Sequence, residues 1–328
     1  MSTAQSAIST RDRKLTKRDH TLEFLREYAV LILLVALFIS LSFASQYFLS
    51  TANILNILNQ QTPLAIVAVA GTLVIISGGF DLSTGAMFAI ANVLAAWIVV
   101  HADNVVLGLA LAPLIGLILG AINGVLVTKL KIHSFLATLA SSLAYRAIAV
   151  LITGGALISV ADPSFATLGR EKFLGIFWAI YVLVIFVIFA GFILNRTTFG
   201  RYVFAIGGNQ EAAELSGVSV HRVRIAVFAF SGMAAGLASA IAVSRVASGQ
   251  PLAGEGIELQ AIAAIILGGT SINGGMGAIW RSLGGVYLIA LIGNGFNLMN
   301  VNPLFKDLVT GVIILSAVSL SAAERRRR

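Results

Sequence analysis

Apolar residues run in long, nearly unbroken blocks along this chain, and polar residues collect in the gaps between them. Such blocks lie near 28–49, 62–79, 83–100, 105–128, 133–153, 173–194, 224–244, 258–272, 276–298 and 304–321. A transmembrane helix takes about 20 mostly apolar residues. The blocks are continuous and not alternating, which fits helices and not the strands of a barrel. Inside lipid only those two forms satisfy the backbone. The expected fold is an all-α integral membrane protein of about ten transmembrane helices. The membrane domain would cover 28–321, between a basic N-terminal tail (1–27) and a basic C-terminal tail (322–328). The first block is long and lacks a small-residue cleavage site, so it reads as an anchor and not a cleaved leader. Blocks 83–100 and 258–272 each abut a glycine-rich break and either span or re-enter the membrane.

Composition supports lipid as the main solvent. Only 11% of the 328 residues are charged and 58% are apolar, with a mean hydropathy of +0.94. An average soluble protein carries about 25% charge, and a disordered chain is charge-rich and apolar-poor. The chain has no Cys, which excludes disulfides, thiolate metal sites and a Cys nucleophile. Four scattered histidines (His20, His101, His133, His221) offer little for a metal cluster. The net charge of +8 reads as a topology signal and not as a nucleic-acid footprint. With the N-terminus in the cytoplasm and ten crossings, 17 of the 22 Lys and Arg fall on the cytoplasmic side. Arg170, Lys172, Arg245 and Lys306 fall outside, and Arg146 falls within a span. That bias places both termini in the cytoplasm.

The segment Ile75-Ile76-Ser77-Gly78-Gly79 through Gly85 is echoed by Ile265-Ile266-Leu267-Gly268-Gly269 through Gly275, as I-I-x-G-G-x-x-[LI]-x-x-G at an offset of 190 residues. Six expected spans separate the copies, so the repeats would run parallel, with both glycine pairs at cytoplasmic helix ends. Internal repeats with broken helices are a transporter habit, and glycine lets one helix end and the next begin.

The longest polar stretch between spans is 195–223. Within it Asn209 is placed to cap a short helix, Glu211 sits in its first turn, and Gly217 ends it. The surface helix would carry Glu211, Glu214 and the small pair Ala212-Ala213, a form suited to docking in a partner's groove. The pattern E-A-A-x3-G, read at Glu211, Ala212, Ala213 and Gly217, resembles the coupling motif of permease subunits of bacterial ABC importers. The downstream Ile-x-Leu-Pro of the older motif is missing, with Val227-Phe228-Ala229-Phe230 in the region. That departure resembles the ribose/xylose/galactose-type branch. Similarity to that branch extends through Gly78–Met87, His133–Gly155, Phe199–Arg224, Ser231–Ala238, Gln250–Gly277 and Asn294–Met299. The resemblance implies a multi-pass inner-membrane permease that moves a sugar, polyol or sugar-derived solute. Its partners would be an ATP-binding subunit dimer, a second permease copy or paralogue, and a periplasmic solute-binding protein.

The residues themselves carry no G-x-x-x-x-G-K-[ST], so ATP hydrolysis would belong to a partner. No nucleophile–base pair, cofactor site or metal site is expected. Ionisable groups in spans mark sites by default. Arg146 lies about 13 residues past His133, hence roughly 20 Å up the span. It would brace the bundle or border the pathway, or else snorkel to the outer headgroups. Asp81, beside Gly78-Gly79, would accept hydrogen bonds near Ser83 at the start of the third helix. Asn92, Asn123, Ser141, Ser142, Asn294 and Asn297 are candidates for a wet pathway suited to hydroxyls, or for interhelical hydrogen bonds. At the outer face Asn59-Gln60-Gln61, Gln250–Glu258 and the 154–172 loop are candidate surfaces for a binding protein. The competing interpretation is a self-contained secondary transporter or solute channel.

Overall fold

The computed structural model describes residues 17–302 and positions 305, 308, 311, 312 and 315, with side chains from residue 28 onward. The chain is helical nearly throughout. The long helices are α1 (Lys17–Ala44), α2 (Thr51–Ile76), α3 (Thr84–Ala102), α4 (Val105–Lys129), α5 (Ser134–Thr153), α7 (Trp178–Arg196), α10 (Val220–Val246) and α12 (Ile279–Leu298). The shorter ones are α6 (Thr167–Arg170), α8 (Thr198–Gly208), α9 (Gln210–Leu215) and α11 (Ile257–Leu267). Two small antiparallel pairs join β1 (Ile158–Ser159) to β4 (Ser248–Gly249) and β2 (Lys172–Phe173) to β3 (Ile176–Phe177).

Among the described residues six helices are long and apolar enough to cross a membrane: α2, α3, α4, α5, α7 and α10. They form two layers. The apolar windows of α2, α3 and α10 are 83%, 67% and 61% buried, whereas those of α4, α5 and α7 are 22–28% buried. The first three are the core, and the others keep an apolar face outward, as lipid or a second subunit requires. Leu143, Leu151, Ile185 and Ile188 are on that outer layer.

The α4–α10 contact is built on small residues. A methyl group on Gly116 would collide with the Gly232 carbonyl, one on Gly120 with the Phe228 carbonyl, and one on Gly236 with the Ala112 carbonyl. Ala112, Gly116, Gly120 and Gly124 recur every four residues, so they fall on one face of α4. In lipid, helix association depends on such close approach because burying apolar surface drives little.

Several expected boundaries shift. α1 begins at Lys17, inside the expected N-terminal tail. α2 begins at Thr51, not at 62, because Asn59, Gln60 and Gln61 are helical and not a loop. Pro63 lies inside α2 and cannot donate to Asn59, four residues before it. The freed carbonyl is met by Arg245 Nη1 at 3.2 Å, while Asn59 Nδ2 donates to Gly169 O at 3.2 Å. The expected span at 173–194 starts at Trp178, because 172–177 is a tight hairpin. The block 258–272 holds only the 11-residue α11. At 1.5 Å per residue that is about 16 Å, half the hydrocarbon thickness of about 30 Å. Most of 304–321 and all of 322–328 lie outside the described residues.

Candidate functional site

The polar stretch 195–223 folds as two helices in succession. Thr197 Oγ1 caps α8 through Gly200 N at 3.3 Å, and Gly200, Val203 and Ile206 bury one face of it. The sequence reading missed α8, although the Thr cap and that three-residue spacing were its signals. Asn209 Oδ1 accepts from Ala212 N at 3.0 Å and caps α9. Glu211 stands in the first turn, and Gly217 closes the end with φ +84°. The closing turn is formed by Gly217 N donating to Glu214 O and Val218 N to Ala213 O, at 2.9 and 3.0 Å. Ala213 is buried, Glu211, Ala212 and Glu214 are exposed, and Leu215 is 84% exposed. Glu211 and Leu215 are four apart and share the outward face. Gln210 Nε2 braces Glu214 Oε1 at 3.1 Å.

The two glycine breaks are alike in form. Ser77 closes α2 and Gly78 takes φ +78°, with Gly78 N donating to Ile75 O and Gly79 N to Val74 O. Gly268 closes α11 and Gly269 takes φ +82°, with Gly269 N donating to Ile266 O and Thr270 N to Ile265 O. The geometry matches Ser77 to Gly268 and Gly78 to Gly269. It runs one residue out of step with the sequence repeat, because the left-handed position falls on the first glycine of one pair and the second of the other. Gly85 and Gly275 also differ. Gly275 is in a turn with φ +74°, whereas Gly85 is helical and leaves room for Glu258 and the Gly254 carbonyl.

Asp81 ties the start of α3 to α10. Its Oδ1 accepts from Ser83 N at 3.0 Å and its Oδ2 from Ser231 Oγ at 2.8 Å. Asn123, fully buried, donates to Ser83 Oγ at 2.6 Å and accepts from Tyr145 Oη at 3.1 Å. These groups satisfy one another, as buried polar groups must. Arg146 is half-buried on α5 and hydrogen-bonds to backbone. Its Nη1 donates to Pro251 O at 3.1 Å and Ala253 O at 2.9 Å. It thereby holds the 250–256 segment against α5. Arg146→Leu is expected to strand two carbonyls and cost about 2–3 kcal/mol. A lowered melting temperature in detergent would show this, and wild-type melting with normal uptake would refute it. Asn294 and Asn53 exchange hydrogen bonds at 2.8 and 3.2 Å between α12 and α2. Ser141 Oγ donates back to Ala137 O within α5, Ser142 is half-buried, and Asn297 is exposed.

Three spaces succeed one another along α2. At residues 60–64 a cavity of about 320 Å³ is lined by Gln60, Gln61, Asn92, Gln250, Gln260 and Arg245. Of the pathway candidates only Asn92 lines it, with Oδ1 held by Gln250 N at 2.8 Å. Gln260 escaped notice in the sequence, because on its own a polar residue in an apolar block has no distinguishing neighbours. At 67–75 a void of about 10 Å³ is closed by Val67, Gly71, Val74 and Ile75 of α2 against Glu258, Ala261, Ile262 and Ile265 of α11, with Asp81 and Thr84. Glu258 Oε2 and Thr84 Oγ1 are buried there without a hydrogen-bond partner. At 78–79 a second cavity of about 600 Å³ is bordered by Lys131, His133, Gln210, Glu214, His221 and Arg224.

A helical bundle with one polar cavity beside the middle of α2 and another just past its end, at a glycine break, has the form of a membrane transport protein. Residues 53–318 match the family described as the permease component of the branched-chain amino acid transport system, and the chain belongs to this family of transport permeases. The ribose import permease protein of Bacillus subtilis (strain 168) is 40% identical over 306 residues, covering 93% of this chain and 95% of that protein. The ribose import permease protein of Escherichia coli (strain K12) is 38% identical over 306 residues, with 92% and 95% covered. The L-arabinose ABC transporter permease protein of Azospirillum brasilense is 33% identical over 306 residues, with 93% and 90% covered. No solved structure matches the chain.

Proposed function

We propose that this chain is the membrane subunit of an ATP-driven importer that carries a monosaccharide or related polyol into the cytoplasm. In this interpretation a solute-binding protein delivers sugar to the outer face, at Gln60, Gln61 and the anchored 154–172 loop. The cavity at residues 60–64 then receives it. Amides on its wall donate to and accept from hydroxyls without demanding charge, which suits a sugar. α9 docks a separate ATP-binding subunit through Glu211, Ala212 and Leu215. α1, α11 with the 250–256 segment that leads into it, α12 and the 304–321 segment would bring the six to about ten crossings, with both termini cytoplasmic. A second copy or a paralogue covers the apolar outer layer. The observation that carries the coupling role is the exposure of Leu215 beside Glu211 on a capped helix, which the charge bias would put on the cytoplasmic side.

Complementation in cells lacking their ribose or arabinose permease tests this. Uptake of the labelled sugar should return only with an intact ATP-binding subunit, and should vanish when that subunit's phosphate-binding lysine is replaced. Uptake that persists without it would favour a self-contained transporter.

A further inference from the structure

Helix α8 and the two helix breaks approach one another through backbone atoms. A methyl group on Gly207, near the end of α8, would collide with the Ile76 carbonyl at the first break and meet Gly275 N in the turn after the second. Gly275 N donates to the same Ile76 O at 2.9 Å. A methyl group on Gly274 would lie 2.9 Å from Gly78 N and 3.0 Å from Gly207 O. Ser271 N donating to Met276 O at 2.9 Å closes the turn that presents Gly274 and Gly275. Both glycines have positive φ, +85° and +74°, where a side chain would be strained even if it fitted.

We propose that Gly207, Gly274 and Gly275 form a joint that transmits displacement of the α8–α9 pair to the C-terminal ends of α2 and α11. Those are the two helices whose side chains close the space between the outer and cytoplasmic cavities. The joint deepens the proposed coupling role of α9 and rests on it. α9 starts at Gln210, within three residues of Gly207, so a load on α9 reaches the joint without an intervening flexible loop. Side-chain contacts could absorb a small shift by changing rotamer. Backbone packed on backbone cannot, and close-packed elements answer by moving as bodies. α2 and α11 face each other along Gly71 and Ile265, where a methyl group on Gly71 would lie 3.0 Å from Ile265 Cδ1. Moving their tethered ends apart opens the layer that holds Thr84 and Glu258. The unpartnered oxygens of those two residues would then face the solute's hydroxyls.

Gly207 and Gly208 provide a matched test. Both are in α8, yet a methyl group on Gly208 meets nothing within 4 Å. The assembly of permease, ATP-binding subunit and solute-binding protein should be reconstituted in liposomes with each glycine changed to alanine. Gly207→Ala should keep the ATP-binding subunit bound and hydrolysing ATP, while sugar imported per ATP falls about tenfold or more. Gly208→Ala should match the wild type in all three. Wild-type import per ATP in Gly207→Ala would overturn the joint. The wild-type assembly gives a second readout that survives a folding failure of the variant. Amide exchange in the 274–276 segment should change when a non-hydrolysable ATP analogue binds, and no change would overturn the proposal. Retention of the ATP-binding subunit by Glu211→Arg would instead count against docking at α9.

Discussion

Gly120→Ile will leave almost no folded permease in the membrane. The added side chain begins with a carbon that collides with the Phe228 carbonyl and crowds the Gly232 backbone. The offending neighbours are main-chain atoms of another helix, so no rotamer change relieves them. Overpacking in an adaptable core costs about 1–3 kcal/mol, and here the two helix axes must separate instead. Separation also unzips neighbouring groups. Asn123, one turn below Gly120, holds Ser83 and Tyr145, and Ser231, beside Gly232, holds Asp81. Buried polar groups left without partners cost about 1–3 kcal/mol each, against a total stability of about 5–15 kcal/mol. Gly120→Ala should be intermediate. Gly191→Ile, where a methyl group on α7 meets nothing within 4 Å, is the control. Membrane abundance and a detergent melt measure all three. Wild-type abundance and melting of Gly120→Ile would show that α4 and α10 are not locked at this face.

That face illustrates how much was legible beforehand. Block length and low charge identified an α-helical membrane protein, because those properties follow from the solvent alone. The small-residue rows on α4 and α10 went unremarked, since glycine and alanine are common in every span and their register matters only once the partner is known. Asn59, Gln60 and Gln61 fall just before the second span expected at 62 and read as an outer-face surface. They are helical because Arg245, distant in sequence, meets the carbonyl that Pro63 frees, while the Asn59 amide donates to Gly169. Block 258–272 left spanning and re-entry both open, and the 250–256 segment before it is bound to Arg146 and leads into a short helix. The caps at Asn209 and Gly217 were readable in place, because capping is local chemistry. The joint at Gly207 was not, because it brings together segments around Ile76, Gly207 and Gly275 that are far apart in sequence, and leaves no side chain to flag it.

Glu211→Arg combined with Gly217→Trp should abolish both retention of the ATP-binding subunit and ATP-dependent uptake. The two changes act on different parts of the docking surface. Glu211 is exposed and shares a face with Leu215, so its replacement reverses a charge at the contact and leaves the internal hydrogen bonds of α9 intact. It also places a cation in the first turn, where the helix dipole disfavours it by about 0.3–1 kcal/mol. Gly217 has φ +84°, and a β-carbon added there meets nothing within 4 Å. The left-handed conformation would nonetheless cost tryptophan about 1–2 kcal/mol. The strain falls on the turn that aims α9 into α10, formed by the Gly217–Glu214 and Val218–Ala213 bonds. Glu211→Gln should lie between wild type and Glu211→Arg if charge contributes, and Gly217→Ala should be milder than Gly217→Trp, having the same strain without the bulk. Co-purification and sugar uptake are the two measurements, with permease abundance as the check on folding. Survival of both in the double variant would remove α9 from the coupling path. Loss of uptake with full retention would move the effect of these residues from docking to the joint at Gly207.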